Sequence, residues 1–234
     1  MLKLDILAMA PHPDDVELGC GGTLAKAVAE GKKVGIVDLT NGELGTRGSR
    51  QIRLKESEAA KNILGVHARE NLNMRDGFFL NDEDNQLKII ETIRKYRPEI
   101  LITGAPEDRH PDHGRATELI IRASFLAGLP RIETGQEAWR PKRIFHFIQW
   151  KPLNPDFVVD ISGYLQTKID SCLAYTSQFH DPNSDEPETA ISSANFKESI
   201  NYRAKDWGRL IWKDAGEAFI AESILGVDSM DVFL

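Results

Sequence analysis

The stretch that decides the fold is LAMAPHPDDVELGCGGT, residues 7–23, in which a short apolar run leads into His, Asp and Gly. An apolar run of this length followed by turn-forming residues is typical of a buried strand. A second run, at 100–102, leads in the same way into APEDRHPDH, residues 105–113. Because open α/β sheets bind ligands at the carboxyl ends of their strands, the two clusters predict one site.

Strand-like and helix-like segments alternate along the chain. The predicted strands cover 4–10, 33–39, 70–74, 99–104, 144–150 and 157–161. The predicted helices cover 22–30, 51–64, 86–96, 113–127, 164–175 and 204–213. This order predicts an α/β fold, a single domain over 1–234 whose mostly parallel sheet is flanked by helices on both faces.

Composition narrows the possible partners and location. The chain has 234 residues, 41% hydrophobic and 28% charged, as in globular proteins, and its acidic residues outnumber basic ones by 36 to 29. This balance argues against nucleic acid and anionic membranes as partners. Two cysteines, with no recognisable secretory signal, predict a cytoplasmic location. No apolar stretch approaches the ~20 residues of a membrane span.

Two segments resist assignment from pattern alone. The polar run HDPNSDEPET, residues 180–189, contains two prolines and predicts a mobile loop at about 180–190. The tail, 202–234, contains one predicted helix and an apolar end. Packing at an oligomer interface would explain that apolar end.

The first cluster has the residue types of a metal site. Imidazole and carboxylate suit Zn²⁺, which takes three protein ligands in catalytic sites, here His12, Asp15 and His113. Asp14 then lies beside the ligands, where a general base is needed. The alternative is that Asp14 and Asp15 cap the following helix. The second His/Asp cluster at another strand end favours the metal.

The second cluster also offers an acid. An Asp beside a His raises the pKa of the imidazole, so Asp112 would favour a protonated His110 that stabilises an oxyanion and protonates a leaving amine. The alternative is that Asp112 caps the helix that starts near His113.

A third charged segment follows the predicted second strand. There, Glu43 is a candidate acceptor for sugar hydroxyls and Arg53 a candidate clamp for a carboxylate. Arg47 and Arg50 are interpreted as parts of a solvated loop. The glycine run at 19–22 lacks the dinucleotide-binding spacing and is interpreted as a close backbone turn beneath the site.

Taken together, these motifs resemble those of a known enzyme family. The motifs A-x-x-P-H-P-D-D at 8–15, N-G-E-x-G-T-R-G-S at 41–49, R-x-x-E-x-x-x-A at 53–60, H-P-D-H at 110–113 and Y-x-S-Q-F at 175–179 resemble the LmbE-like, or PIG-L, family of zinc-dependent N-acetylglucosamine deacetylases. The stretches at 40–49, 106–114 and 150–162 are similar to the bacillithiol-biosynthesis branch, which acts on N-acetylglucosaminyl-L-malate.

The resemblance implies a Rossmann-like sheet, one Zn²⁺ per chain with Fe²⁺ as the alternative, and a homo-oligomer, in this branch a hexamer. The metal ligands that it implies are His12, Asp15 and His113. The catalytic residues that it implies are Asp14, His110 and Asp112. The substrate-binding residues that it implies are Glu43, Arg53, Arg109 and Arg140. The place of a family tyrosine is held by Asp108.

The function that follows is hydrolysis of the N-acetyl group of N-acetylglucosaminyl-L-malate to glucosaminyl-malate and acetate. One alternative is a deacetylase of chito-oligosaccharides or of another N-acetylglucosamine conjugate, and another is a metallophosphoesterase. An inert sugar-binding module is the alternative outside enzymes, but it has no need for a carboxylate such as Asp14 beside the ligands.

Overall fold

One twisted sheet organises the chain in the computed structural model, which describes residues 2–233. Its strands are β1 (Ile6–Ala10), β2 (Val34–Thr40), β3 (Ala68–Met74), β4 (Ile100–Gly104), β5 (Arg143–Phe147), β6 (Phe157–Asp160) and β7 (Gly216–Ala221). The helices are α1 (Asp15–Ala29), α2 (Arg50–Leu64), α3 (Glu83–Tyr96), α4 (Pro111–Ala127), α5 (Leu165–Leu173) and α6 (Ala194–Leu210), with 3₁₀ turns at Ser162–Tyr164 and Met230–Phe233.

The strand order places β1 at the centre of the site-forming edge. The order is β3-β2-β1-β4-β5-β7-β6, with the first five strands parallel and β7 antiparallel to both of its neighbours. The chain runs from β1 to β2 on one side and returns to β4 on the other. The carboxyl ends of β1 and β4 are therefore neighbours at the point where the strand order reverses, which is where such sheets bind ligands.

Helices cover both faces of the sheet, as predicted. Along β1, Leu7 and Met9 point to a core shared with α3 and α4, while Ala8 and Ala10 point to a core shared with α1 and α2. This alternation follows from the two-residue period of a strand. Two separate cores therefore hold β1, and the loop that follows it, in place.

Helix α1 begins seven residues before its predicted start, because the glycine run lies inside the helix. A kink at Cys20, where φ is −145°, divides the helix. A Cβ atom at Gly19 would lie 2.2 Å from the Phe147 ring, and one at Gly22 would lie 2.6 Å from Ile161. The glycines therefore serve close packing of α1, and the prediction of a turn there is wrong.

A buried ion pair fixes this kinked helix to the end of the chain. Glu217 of β7 accepts hydrogen bonds from the amides of Gly22, at 3.0 Å, and Thr23, at 2.6 Å. Its carboxylate also binds the ammonium of Lys168 at 2.6 Å, and both side chains are buried. These contacts satisfy the amides that the kink leaves free.

The tail differs most from prediction. Helix α6 begins ten residues before the predicted start, and part of the unassigned apolar end forms β7. Residues 222–231 are exposed, and Leu234 lies outside the described residues, so an oligomer interface there stays a prediction. No helix between residues 2 and 233 is both long enough and apolar enough to span a membrane.

Candidate metal centre and active site

The two His/Asp clusters meet at the carboxyl edge of the sheet. Strand β1 pairs with β4 in parallel, with Ile6 opposite Ile100, so the loops that follow the two strands are neighbours. Between these loops lies a cavity of about 420 Å³ that is lined by residues from both clusters. The loops after β2, β3 and β5 complete its walls.

Asp15 stands between two histidines from different strand ends. Its Oδ2 lies 3.2 Å from Nδ1 of His12, and its Oδ1 lies 3.2 Å from Nε2 of His113. All three side chains are buried. Asp15 opens α1, and its Oδ2 also accepts the His12 amide at 3.0 Å, so the first helical turn itself brings the two residues together. The structure thus places the three predicted ligands side by side.

Each of these histidines has a carboxylate on its outer nitrogen. Nε2 of His12 lies 3.0 Å from Oδ1 of Asp76, and Nδ1 of His113 lies 2.7 Å from Oδ2 of Asp108. Each imidazole therefore lies between two carboxylates, and an ionised carboxylate only accepts hydrogen bonds. With a cation between the rings, the outer nitrogens would keep their protons and the inner nitrogens would be the metal donors. Carboxylates behind ligating histidines are typical of metal sites.

The electrostatics favour positive charge at this point. Burial alone would lower the pKa of His113, but Asp15 and Asp108 raise it to about 9. Burial would raise the pKa of Asp76, but the hydrogen bond and charge of His12, with the Leu44 amide, lower it to about 2. A divalent cation is one way of supplying the charge that these carboxylates stabilise.

Asp14 is held in a backbone conformation that few residues adopt. Its φ is +112°, and its buried side chain accepts a hydrogen bond from Nη2 of Arg53 at 2.9 Å. Burial raises the pKa of Asp14 to about 7, with the charge of Arg53 opposing that rise. Positive φ at a non-glycine residue is strained, and such strain concentrates at functional sites. A carboxyl group with a pKa near neutrality can both accept and release a proton.

The predicted pairing of Asp112 with His110 is not what the structure shows. The Asp112 carboxylate lies 3.4 Å from Nε2 of His12 and accepts hydrogen bonds from Arg115 and the Gly77 amide. His110 instead accepts the backbone amide of Asp112 at Nδ1, at 3.2 Å, and caps α4. Burial and the charges of His12 and His113 lower the pKa of His110, so the prediction of a raised pKa is wrong.

Only some of the predicted substrate-binding residues line the active-site cavity. Arg53 and Arg109 line the cavity, but Arg53 is already bound to Asp14 and to the Pro13 carbonyl. Glu43 does not line it. Its two carboxylate oxygens accept the amides of Asn41, at 3.3 Å, and Asp76, at 2.9 Å. Glu43 therefore joins the loops around the site through two backbone amides.

Arg140 lies away from the site. Its guanidinium binds the Phe125 carbonyl at 2.8 Å and packs over the Phe125 ring, near the end of α4. Since α4 begins at the site and runs for 17 residues, its far end is on the order of 25 Å away at 1.5 Å per residue. Within residues 2–233, Arg140 does not line the active-site cavity, contrary to the substrate-binding role that the resemblance implies.

Arg47 is buried, and the interpretation of it as a solvated residue is wrong. It donates hydrogen bonds to the Ser177 carbonyl and to the Ser184 hydroxyl, both at 2.9 Å. It thereby ties the loop after β2 to the predicted mobile loop, whose continuation at 189–191 lines the cavity. Arg50 is exposed, as interpreted, and donates to Asn73.

Sequence reasoning missed three residues of the site. Asp76 and Asp108 hold the outer nitrogens of the histidines, and Gln149 donates a hydrogen bond to Oδ1 of Asp15 at 2.8 Å. Asp108 stands inside the quoted second cluster, so its motif was a usable signal. Asp76 and Gln149 follow β3 and β5 in chain order, and only that position pointed to the site.

Several known proteins that this chain resembles are deacetylases. The PIG-L family model, described as GlcNAc-PI de-N-acetylase, matches residues 7–124. The diacetylchitobiose deacetylase of Thermococcus kodakarensis is 31% identical over 186 residues, 74% of this chain and 70% of that protein. A 1D-myo-inositol 2-acetamido-2-deoxy-alpha-D-glucopyranoside deacetylase of Thermobispora bispora is 31% identical over 62% of this chain and 59% of its own length.

A solved structure extends the likeness to nearly the whole chain. A conserved protein from Thermus thermophilus superposes with a TM-score of 0.87 at 38% identity, over 96% of this chain and 98% of that one. The matched residues 7–124 contain His12, Asp14 and Asp15 together with the whole second cluster. The chain therefore belongs to the PIG-L, or LmbE-like, family of deacetylases.

Proposed function

We propose that this protein is a metal-dependent N-deacetylase that releases acetate from an N-acetylglucosaminyl conjugate, namely N-acetylglucosaminyl-L-malate. The observation that carries the proposal is the meeting of His12, Asp15 and His113, with Asp14 beside them on the cavity wall. One carboxylate between two imidazoles is the donor set of a catalytic zinc site.

The donors fit a metal ion in this structure. Nδ1 of His12 and Nε2 of His113 face Asp15, and Asp76 and Asp108 lie where they can accept the N–H groups of the opposite nitrogens when a metal is bound. When bound there, Zn²⁺, or Fe²⁺ as the alternative, would polarise the amide carbonyl and activate water as a nucleophile. The remaining chemistry belongs to the residues of the chain.

Asp14 transfers a proton from the attacking water to the leaving amine. Its carboxylate accepts a proton from the attacking water as the new C–O bond forms, and it returns that proton to the nitrogen as the C–N bond breaks. The products are acetate and the free amine. Arg53, 2.9 Å from Oδ2 of Asp14, keeps the carboxylate aimed into the cavity.

His110 stabilises the developing oxyanion. Its Nδ1 accepts an amide hydrogen bond, and its pKa is lowered by burial and by His12 and His113, so the ring is neutral with its proton on Nε2. A neutral N–H donor in a partly buried cavity stabilises negative charge on the carbonyl oxygen of the amide. This replaces the proton-donating role that the sequence predicts.

The substrate class is inferred from the relatives and the motifs. The named relatives from Thermococcus and Thermobispora are deacetylases of diacetylchitobiose and of an inositol-linked 2-acetamido sugar. Both share a 2-acetamido-glucose unit, and the cavity of about 420 Å³ is large enough for a small ligand of this kind. The malate group is proposed from the resemblance of 40–49 and 106–114 to the bacillithiol branch.

The test is acetate release by the purified protein from N-acetylglucosaminyl-L-malate, diacetylchitobiose and free N-acetylglucosamine, with and without a chelator. We expect the malate conjugate to have the highest kcat/KM and the chelator to abolish turnover. A preference for diacetylchitobiose would establish the alternative deacetylase. Binding without acetate release from any of the three would indicate a sugar-binding module.

A further inference from the structure

A second cavity adjoins the active site. It has a volume of about 250 Å³ and shares four lining residues with the active-site cavity, which are Gln149, Trp150, Ala190 and Phe196. Gln149 binds Asp15 at 2.8 Å, so the second cavity begins one side chain away from the metal ligands. The two cavities therefore adjoin at these shared residues, and we call the second one the side groove.

The side groove presents one cation. Of the nine lining residues that the described chain contributes, Arg203 alone is charged. Its Nη2 donates a hydrogen bond to the Ile148 carbonyl at 2.8 Å, and within residues 2–233 no carboxylate oxygen lies within 4.0 Å of its guanidinium. A largely buried cation without an anionic partner is costly.

Burial also lowers the pKa of Arg203, although the more distant charges of Asp108 and Glu217 oppose this. The direction of the shift means that neighbouring groups do not compensate the desolvation of the guanidinium. Three of its five N–H donors belong to Nε and Nη1, for which no acceptor lies in hydrogen-bond range among the described residues. An anionic ligand would satisfy both the charge and the donors.

Aromatic rings form the wall between the two cavities. The Trp150 ring stacks on Phe196 with centroids 5.4 Å apart and is 39% exposed. The guanidinium of Arg109 lies 4.4 Å above the Trp150 ring, at the junction. Tyr202, also on the groove wall, is 51% exposed. Rigid aromatic surface beside a buried cation suits a small organic anion better than a hydrated inorganic one.

We propose that the side groove binds the carboxylate end of the substrate's aglycone and that Arg203 is its recognition residue. The proposal rests on the proposed function, since it places the acetamido sugar at the metal centre and the dicarboxylic acid across Trp150. It assigns carboxylate recognition to α6 and leaves Arg53 to hold Asp14. A guanidinium matches a carboxylate with two parallel hydrogen bonds.

The first test compares substrates. For Arg203→Gln we expect the ratio of kcat/KM for N-acetylglucosaminyl-L-malate to kcat/KM for methyl N-acetylglucosaminide to fall about 10- to 100-fold, the range for a lost charged hydrogen bond. The matched control is Arg209→Gln on the same helix, an exposed arginine paired with Asp206, which should leave the ratio unchanged. An unchanged ratio in Arg203→Gln would overturn the proposal.

The second test measures binding without turnover, so that failure of the groove and failure of the deacetylase function can be distinguished. Calorimetric titration of the metal-loaded protein should show L-malate binding at least about tenfold tighter than its neutral diamide, with that preference lost in Arg203→Gln and kept in Arg209→Gln. Equal binding of acid and diamide by the wild-type protein would overturn the proposal even if acetate is released.

Two further variants guard against a folding defect. Arg203→Lys keeps the cation and should retain part of the preference for L-malate, since lysine cannot form the paired hydrogen bonds. Trp150→Leu removes the partly exposed ring that stacks on Phe196 and should weaken L-malate binding, while circular dichroism and the unfolding transition should show that the variant is folded. L-Malate binding that is unaffected in both variants would place the anion elsewhere.

Discussion

Asp76 lies 3.0 Å from Nε2 of His12, on the edge of the imidazole opposite the nitrogen that faces Asp15. This contact orients the ring, and an ionised Asp76 favours the tautomer with its proton on Nε2. Asp76 is itself held by the Glu43 carboxylate, which accepts its amide at 2.9 Å. The Leu44 amide also donates a hydrogen bond to Oδ2 of Asp76, at 2.9 Å, so the loops after β2 and β3 together hold the carboxylate that contacts His12.

We expect Asp76→Ala to weaken metal binding about 10- to 100-fold, as is typical when the partner of a ligating histidine is removed. Competition with a chromogenic chelator measures the metal Kd. Asp84→Ala, which removes an exposed carboxylate from the first turn of α3, is the control. Equal Kd values for both variants would show that Asp76 does not orient His12.

We expect single alanine substitutions of His12, Asp15 and His113 to remove most bound metal, because each takes one donor from a three-residue site. Metal content of the purified variants is the measurement. His67→Ala is the control, since His67 is exposed and lies away from the cavity. Full occupancy in any of the three would exclude that residue as a ligand.

We expect Asp14→Asn to keep its metal and to lose about 10²- to 10⁴-fold in kcat, the usual contribution of a general base. Asparagine tolerates the positive φ of this position better than alanine does, so the backbone should be preserved. Steady-state kinetics at equal metal content provide the measurement. A loss of less than about tenfold would mean that another group accepts the proton.

We expect Arg53→Ala to lower kcat/KM to the same degree for the malate conjugate and for free N-acetylglucosamine. The structure has the Arg53 guanidinium 2.9 Å from Asp14, so its removal disturbs the proposed base whichever substrate is present. The loss should be about 10- to 100-fold, as for a charged hydrogen bond. A loss confined to the malate conjugate would restore the predicted carboxylate clamp.

We expect Glu217→Gln to destabilise the fold by about 3–5 kcal/mol, because it leaves the Lys168 ammonium buried without its partner. Urea unfolding provides the free energy. Glu58→Gln breaks the exposed pair with Lys61 and should cost no more than about 0.5 kcal/mol. Similar values for the two variants would show that the buried pair contributes little.

Individual strands and helices could be predicted where the spacing of apolar residues and the position of turn-forming residues indicate the same element. The strands β1 and β4 begin with continuous apolar runs, β2 has four apolar residues around Gly35 and Asp38, and α2 and α3 end at residues in the left-handed region, Gly65 and Arg97. Strand β7 was missed because Glu217 interrupts its apolar pattern, and the compensating Lys168 is 49 residues away in sequence. Helix α6 was located too late in the chain because its first ten residues are mostly polar.

The meeting of the proposed metal donors could be predicted because their types and their places after two strands coincide. The partners of those donors could not, since hydrogen bonds of Asp112 and Asp76 depend on side-chain directions that spacing does not set. Asp112 is two residues from His110 yet faces His12, because the start of α4 turns its side chain towards the first cluster. Arg47 was misinterpreted for the same reason, as its acceptors lie 130 and 137 residues away.

The position of β7 has a consequence for the order of assembly during synthesis. Strand β6 joins the sheet through β7, with Phe157 opposite Phe219, and β5 joins the same strand, with Phe145 opposite Ala221. All of the proposed metal donors have been synthesised once His113 has left the ribosome. Strand β5 is made later, and one of its edges has no hydrogen-bonding partner until β7 emerges. An unpaired strand edge is the part of a sheet most prone to pairing with other chains. The nascent protein therefore holds its full set of proposed metal donors while that edge is still unprotected.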